Sequence, residues 1–193
     1  MKNQMQEVIE KFKEGKVGIF PTDTAYGIGC RMDNKAAVKK VYGIRNRPAE
    51  KSLLVLVASL EMAKEYVHIE KEVEEELINK FWPGGFTIIL NCKKGKVLPV
   101  VNSGKETLAV RLPNHPILQK IINEVGVPIV APSANFSGED TPFTFSDVDP
   151  HLMQKVDFVL NGVCTMKGIS TIIDVTMRPW KVVREGVVEI HYK

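Results

Sequence analysis

The chain has 193 residues, of which 44% are hydrophobic and 25% charged, with a formal net charge of +3. That length suits one domain, or one domain with a short appendage, and buries roughly two-thirds of its unfolded surface, so the core needs no disulfide or metal staples. The mild positive charge suits an anionic ligand such as a nucleotide, or transient contact with RNA, but does not by itself mark a nucleic-acid-binding protein. Cys30, Cys92 and Cys164 are far apart and form no CxxC pair, which argues against a disulfide framework and a zinc ribbon. His68, His115, His151 and His191 are equally scattered, with no HExxH. No apolar run approaches the ~20 residues of a membrane span. The opening Met1–Gln6 leads into an amphipathic segment rather than a signal peptide, so a reducing cytoplasm is the expected location.

Met5, Val8, Ile9 and Phe12 follow helical spacing, with Gly15 at the stop. Val17–Phe20, halted by Pro21, reads as a buried strand. Asn34 caps a second predicted helix through Ala37, Val38, Val41 and Ile44. Leu53–Val57 is a continuous apolar strand, Ser59 caps a third helix, and Val73, Leu77, Ile78 and Phe81 mark a fourth. Pro83-Gly84-Gly85 forces a turn before a strand over Thr87–Leu90. Leu108–Arg111 is a strand ended by Pro113, and Ile117, Leu118, Ile121 and Ile122 form a helical stripe. Pro128–Val130 is a short strand running into Ala131-Pro132-Ser133, and residues 136–145 form a polar loop. A helix is weakly signalled near 146–155, strands fit at 157–160, 171–175 and 181–184, and a last one fits at 187–191. Strands and helices intermix with no linker or repeat, which predicts one α/β domain with a mixed, twisted sheet rather than a strict βαβ array.

Four segments break the pattern of core and solvated face. Pro21-Thr22-Asp23-Thr24-Ala25-Tyr26-Gly27-Ile28-Gly29 follows a buried strand, and its glycines let backbone N–H groups approach a ligand; alone it also fits an ordinary strand-to-helix turn. Arg45-Asn46-Arg47-Pro48-Ala49-Glu50-Lys51 holds three cations. Guanidinium groups bind phosphate bidentately, although Arg45 and Arg47 in an extended chain project to opposite sides unless the loop curls, and a solvated basic loop is the other reading. Thr107, Ala109 and Arg111 share one face of a strand, where Arg111 wants an acidic partner or an anionic ligand. Ala131-Pro132-Ser133-Ala134-Asn135 places a hydroxyl and an amide at a strand's end, where ligands of α/β sheets tend to sit. Ser133 lacks the Gly-x-Ser-x-Gly of a hydrolase nucleophile. No Walker A run is present, so any ATP must be held by dispersed arginine, hydroxyl and backbone groups.

In order and spacing, six segments resemble the YrdC/Sua5 family: Pro21–Gly29, Arg45–Arg47, Trp82-Pro83-Gly84, Thr107–Pro113, Ser133-Ala134-Asn135-x-Ser137-Gly138 and Ser170–Asp174. The resemblance covers roughly residues 10 to 188. It implies a YrdC-like twisted open mixed sheet with helices around a large basic concave cavity, spanning 1–193 as a single domain without the C-terminal domain of Sua5-type members. It implies an L-threonylcarbamoyladenylate synthase that converts L-threonine, bicarbonate and ATP to threonylcarbamoyl-AMP and pyrophosphate. Partner proteins of a threonylcarbamoyl-transfer complex then modify the adenosine at tRNA position 37; binding of tRNA or double-stranded RNA is a further expected property. By motif, Thr24, Lys51, Arg111, Ala131 and Ser170 correspond to threonine-binding positions, with Arg111 on the carboxylate. Arg45, Arg47, Ser133 and Asn135 correspond to the catalytic tetrad around the triphosphate, and Thr107, Thr141 and Arg184 to further ATP contacts. Arg45 stands where the family usually has lysine. The implied metal is Mg2+ carried mainly by the ATP phosphates, since no carboxylate cluster offers a protein cage. The rival readings are a non-catalytic RNA-binding module of the same fold, a divergent YciO-like paralogue, and the carbamoyl-transferring module of hydrogenase maturation, which needs acylphosphatase and zinc-finger regions absent from this sequence.

Overall fold

The computed structural model describes residues 2–190. Among them nine strands form one sheet in the order β7-β1-β2-β6-β3-β5-β4-β8-β9. These are β1 Gly18–Pro21, β2 Tyr26–Arg31, β3 Leu54–Leu56, β4 Phe86–Asn91, β5 Thr107–Arg111, β6 Ile129–Val130, β7 Phe158–Val159, β8 Thr171–Asp174 and β9 Lys181–Arg184. The sheet is mixed: β1–β7, β3–β5 and β4–β8 pair in parallel, and the other neighbours run antiparallel.

Successive strand residues point to opposite faces, and they fall into two different apolar clusters. Ile19, Val55 and Val130 belong to one, while Phe20, Leu56 and Ile129 belong to the other. Both faces are therefore covered. The second cluster is closed by α1 (Lys2–Lys13) and α7 (Pro116–Val125), through Val8, Ile9 and Phe12 against Leu118, Ile121 and Ile122. The first takes α2 (Lys35–Ile44), capped by Asn34 as the sequence predicts, and α3 (Leu60–Tyr66), capped by Ser59. The predicted fourth helix is present with a π-helical turn, Glu74–Ile78, between α4 (Lys71–Val73) and α5 (Asn79–Phe81).

The segment after Pro21 turns into a second strand, not a helix. β1 and β2 are an antiparallel hairpin closed at Thr22–Ala25, where the Thr22 N–H donates to the Ala25 carbonyl at 3.1 Å. Of the two glycines that hide β2 in the sequence, Gly29 is required by the neighbouring strand: a Cβ there would stand 1.7 Å from the Val130 carbonyl oxygen. A short helix, α6 (Pro99–Asn102), is absent from the sequence-based expectation; Pro99 at its first position is its local signal. The weak helix near 146–155 resolves into a 3-10 turn, Phe145–Asp147, and α8 (Pro150–Met153). Residues 187–190 form no strand; Val187 and Val188 instead hydrogen-bond the Ile169 carbonyl and the Thr171 hydroxyl. Residue 191, the end of that predicted strand, lies outside the described residues.

Candidate functional site

A small recess opens on the sheet face that carries Leu54, Leu56 and Arg111. It gathers residues that are far apart in sequence: Thr22 and Thr24 from the β1–β2 turn, Arg111 from the end of β5, Ala131 and Ser133 after β6, Ser170 before β8 and Arg184 from β9. The turn is self-organised. The Thr22 hydroxyl oxygen accepts the Thr24 and Ala25 N–H groups, and lies 3.0 Å from the Thr24 hydroxyl. Such side-chain-to-backbone bonding lets threonine stabilise a tight turn.

Arg111 is 4% exposed and Asp23 is 1% exposed. The Arg111 Nη2 donates to Asp23 Oδ1, its Nη1 to Thr24 Oγ1 at 2.6 Å and its Nε to the Gly84 carbonyl at 2.9 Å. The acidic partner that a buried arginine demands is therefore Asp23, in the segment between the first two strands. On the far side, Arg184 donates to the Ser170 carbonyl at 2.7 and 3.0 Å and to the Ser170 hydroxyl at 2.9 Å. That hydroxyl also lies 2.9 Å from Thr87 Oγ1.

The arginine pair after α2 occupies a curled loop. Arg45 is the right-handed C-cap of α2, and Asn46 has φ 50°, so the chain folds back instead of running extended. Arg45 Nε donates to the Asn135 carbonyl at 2.8 Å, and Nη2 donates to Asn135 Oδ1 at 3.0 Å and to Ser133 Oγ at 3.4 Å. Its Nη1, by contrast, is buried with no hydrogen-bond partner. Arg47 turns onto its own loop, donating to the Lys51 and Ser52 carbonyls at 2.9 and 2.8 Å.

Burial lowers the pKa of all four of these arginines. Arg45 is pushed down to about 10, first by burial and then by the like charge of Arg47. Burial also dominates at Arg111, where Asp23 opposes the shift and Arg184 adds to it. Guanidinium groups keep their proton in proteins, so these downward shifts mark positive charge held at a cost that an anion would relieve.

Of the positions singled out from sequence, Thr24, Arg111, Ala131, Ser133, Ser170 and Arg184 line the recess. Arg45 and Asn135 join it through Ser133, and Arg47 stands beside Arg45. Lys51, Thr107 and Thr141 are not among the lining residues. Lys51 is exposed, and its carbonyl is held by Arg47 and by the Tyr42 hydroxyl. Thr107 shares the face of Arg111 but lies at the other end of β5, about 13 Å away at strand spacing. Thr141 is half-buried beside Pro142, whose carbonyl accepts the Tyr26 N–H. Sequence reasoning missed Leu54, Leu56 and Thr87 as neighbours of the site, and it named Asp23 only as part of the polar turn, without its tie to Arg111. A lone aspartate in a polar turn carries no mark of its cross-sheet partner.

Among the described residues no three His, Cys, Asp or Glu side chains stand together to hold a metal ion, and no helix is long and apolar enough to cross a membrane.

A Sua5/YciO/YrdC family model, described as "Telomere recombination", matches residues 10–186. The chain belongs to this family. It is 35% identical over 191 residues to a threonylcarbamoyl-AMP synthase of Bacillus subtilis, an alignment covering 95% of this chain and 55% of that protein. The structure of Pyrococcus abyssi Sua5 complexed with L-threonine is similar with a TM-score of 0.90 and 33% identity, over 96% of this chain and 55% of that one. Escherichia coli YciO is similar with a TM-score of 0.88 and 25% identity, over 98% of this chain and 92% of that one. The chain spans about half the length of the curated Bacillus and Pyrococcus relatives it matches.

Proposed function

We propose that this Sua5/YciO/YrdC member is an L-threonylcarbamoyladenylate synthase, a nucleotidyltransferase that makes threonylcarbamoyl-AMP and pyrophosphate from L-threonine, bicarbonate and ATP. The observation that carries the reading is the guanidinium of Arg45. It is 3% exposed, bonded to both members of the Ser133–Asn135 pair, and left with Nη1 unpaired next to a second arginine. A buried cation with an unmet donor and a like-charged neighbour is costly alone and suited to a polyphosphate.

In this reading the recess has two ends. Arg45, Arg47, Ser133 and Asn135 take the triphosphate, with Arg184 as a further nucleotide contact where the two ends meet beside Ser170. Thr24, Arg111, Ala131 and Ser170, all of which line the recess, take threonine. Bicarbonate takes up a proton and gives CO2 and water, the neutral amine of threonine adds to that CO2 and gives up one N–H proton to solvent, and an oxygen of the resulting carbamate attacks the α-phosphorus of ATP. A new P–O bond forms as the bond from that phosphorus to the bridging oxygen of pyrophosphate breaks. No protein nucleophile and no protein proton transfer is required, which fits a site rich in arginine and hydroxyls. Positioning and stabilisation of the charge on the departing pyrophosphate supply the rate. Mg2+ enters with ATP as part of that substrate, held mainly by the phosphates. The product then serves threonylcarbamoyl transfer to tRNA by partner proteins in the cytoplasm.

The test is to omit threonine, bicarbonate or MgATP in turn while following pyrophosphate and the adenylate. Release that needs all three supports the reading. Pyrophosphate release indifferent to threonine, or none with all three present, overturns it.

A further inference from the structure

Asp23 belongs to none of the residue sets above, yet it is a carboxylate buried at the border of the recess. We propose that Asp23 is a positioning residue that orients Arg111 for an amino-acid carboxylate and, by its own negative charge, keeps phosphate groups out of that end of the recess. The inference rests on the proposed reading that Arg111 meets the threonine carboxylate.

The geometry shows a guanidinium fixed from three directions. The Asp23 carboxylate comes from the β1–β2 turn, the Gly84 carbonyl from the turn before β4, and the Thr24 hydroxyl from beside Asp23 itself. The second oxygen of Asp23 accepts the Asn114 N–H at 3.0 Å, tying the carboxylate to the chain that leaves β5. Neither partner can swing without breaking several bonds. Three of the five N–H groups of Arg111 are used in this way, which leaves two for a ligand. Asp23 also reaches the opposite wall through its backbone: its carbonyl accepts the Met166 N–H at 2.7 Å and the Thr165 hydroxyl at 3.4 Å, and the next carbonyl, of Thr24, accepts from Gly168 at 3.2 Å. The segment so held leads into Ile169 and Ser170, both of which line the recess.

Charge separates the two ends. Arg45 and Arg47 lie together, and the neighbouring charge that shifts Arg45 is the like charge of Arg47, so this end favours a polyanion. Arg111 carries a counterion of its own. A dianionic phosphate arriving there meets the charge of Asp23 as well as that of Arg111, while a singly charged planar carboxylate can use the two directed N–H groups and gains further from nearby Arg184. Recognition at this end is by direction rather than by net attraction. Without Asp23, Arg111 would be a buried cation near the like charge of Arg184, held only by the Gly84 carbonyl and the Thr24 hydroxyl.

The experiment is titration calorimetry of L-threonine, and separately of Mg2+ with α,β-methylene-ATP, into wild type, Asp23→Asn, Arg111→Gln and the double variant, each checked by thermal melting. Asparagine keeps the shape and removes the charge. The expected result for Asp23→Asn is threonine affinity weakened roughly tenfold or more, nucleotide affinity within about twofold, and pyrophosphate newly able to compete with threonine. In the Arg111→Gln background Asp23→Asn should cost no further threonine affinity, because its effect passes through Arg111. A folded Asp23→Asn protein that binds threonine like wild type overturns the proposal, as does an equal loss in both backgrounds. If Asp23→Asn does not fold, Arg111→Lys decides: it keeps the charge pair and loses the fork, and unchanged threonine affinity sinks the idea. Wild-type protein that binds threonine but releases no pyrophosphate overturns the proposed activity and leaves this inference standing; wild type that binds no threonine overturns the inference.

Discussion

Arg45 combines two properties at one side chain: it is nearly fully buried, and it is only partly satisfied. Lysine has no fork, so it could not hold Asn135 Oδ1, the Asn135 carbonyl and Ser133 Oγ together while keeping a donor spare. The proposed chemistry asks of this position a fixed positive charge and no proton. A pKa of about 10 leaves that charge intact at neutral pH. Arg45→Lys is therefore expected to stay active, with pyrophosphate leaving faster because a single ammonium grips it less than a guanidinium does. Arg45→Ala should lose a charge-assisted contact of roughly 1.5–3 kcal/mol to the phosphates and also free Asn135, so a fall in pyrophosphate release well beyond tenfold is expected (about 1.4 kcal/mol per decade). Steady-state assays with both variants check this, and full activity in a folded Arg45→Ala protein removes the residue from the site. The chemical character of Arg45, Arg47, Ser133 and Asn135 could be read from residue types. Asp23 could not, because its significance lies in meeting Arg111 across the sheet, 88 positions away in sequence.

At the scale of elements, apolar spacing and caps identify α1, α2, α3, α7 and most strands, and the structure places them where the sequence puts them. β2 escapes because two of its six residues are glycine, which weakens any strand signal. Packing explains the glycine, and it yields a prediction. Gly29→Ala drives a methyl into the Val130 carbonyl of β6, at 1.7 Å before relaxation, and should cost about 3 kcal/mol or more. Gly43 is exposed inside α2, and a Cβ added there would meet nothing within 4 Å, so Gly43→Ala should stabilise by about 0.5–1 kcal/mol through helix propensity. Urea midpoints of the two variants should move in opposite directions, and a Gly29→Ala midpoint at or above wild type removes the close approach. The start of α7 gives a second prediction. His115 Nδ1 accepts the Leu118 N–H at 3.1 Å, so the ring must be neutral to cap the helix. Burial lowers its pKa, while Asp23 pulls the other way more weakly. With a folded value below the unfolded 6.5, the unfolded chain binds more protons in that window. The contribution of His115 is thus present above about pH 6.5 and is lost as pH falls through the folded value. His115→Asn caps without titrating. Its stability relative to wild type should rise as the pH drops from about 7.5 to 5, and parallel curves would count against a titrating cap.

Across the whole molecule, the recess is a product of strand order rather than of any one segment. Its residues come from turns and strand ends that the sequence scatters between Thr22 and Arg184, and the order β7-β1-β2-β6-β3-β5-β4-β8-β9 brings them to one face. Local periodicity fixes where a strand begins but not which strand it pairs with, so six ordered motifs pointed to the fold while the pairing of Asp23 with Arg111 stayed hidden. An assembly of this kind makes ligand binding a clamp on the global fold. The β1–β2 turn, the loop after β6 and the β8–β9 edge must all be in place before both ends of the recess exist, and the unfolded chain offers none of them. Ligands that bind only the folded state stabilise it by about 2.7 kcal/mol at a concentration of 100 Kd. In a chain of this size each kcal/mol moves the melting temperature by roughly 2–4 °C. L-threonine together with Mg2+ and α,β-methylene-ATP, which cannot release pyrophosphate, fills two sites and should therefore raise the midpoint by roughly 10–20 °C with each ligand at 100 Kd. Each ligand alone should give a smaller shift. In the Arg45→Ala protein the nucleotide shift should shrink while the threonine shift persists, since the two ends are held by different arginines. Differential scanning calorimetry or fluorimetry reads all of these directly. A midpoint unmoved by both ligands at saturation, or a threonine shift abolished by Arg45→Ala, would show that the recess is not divided as its charges suggest.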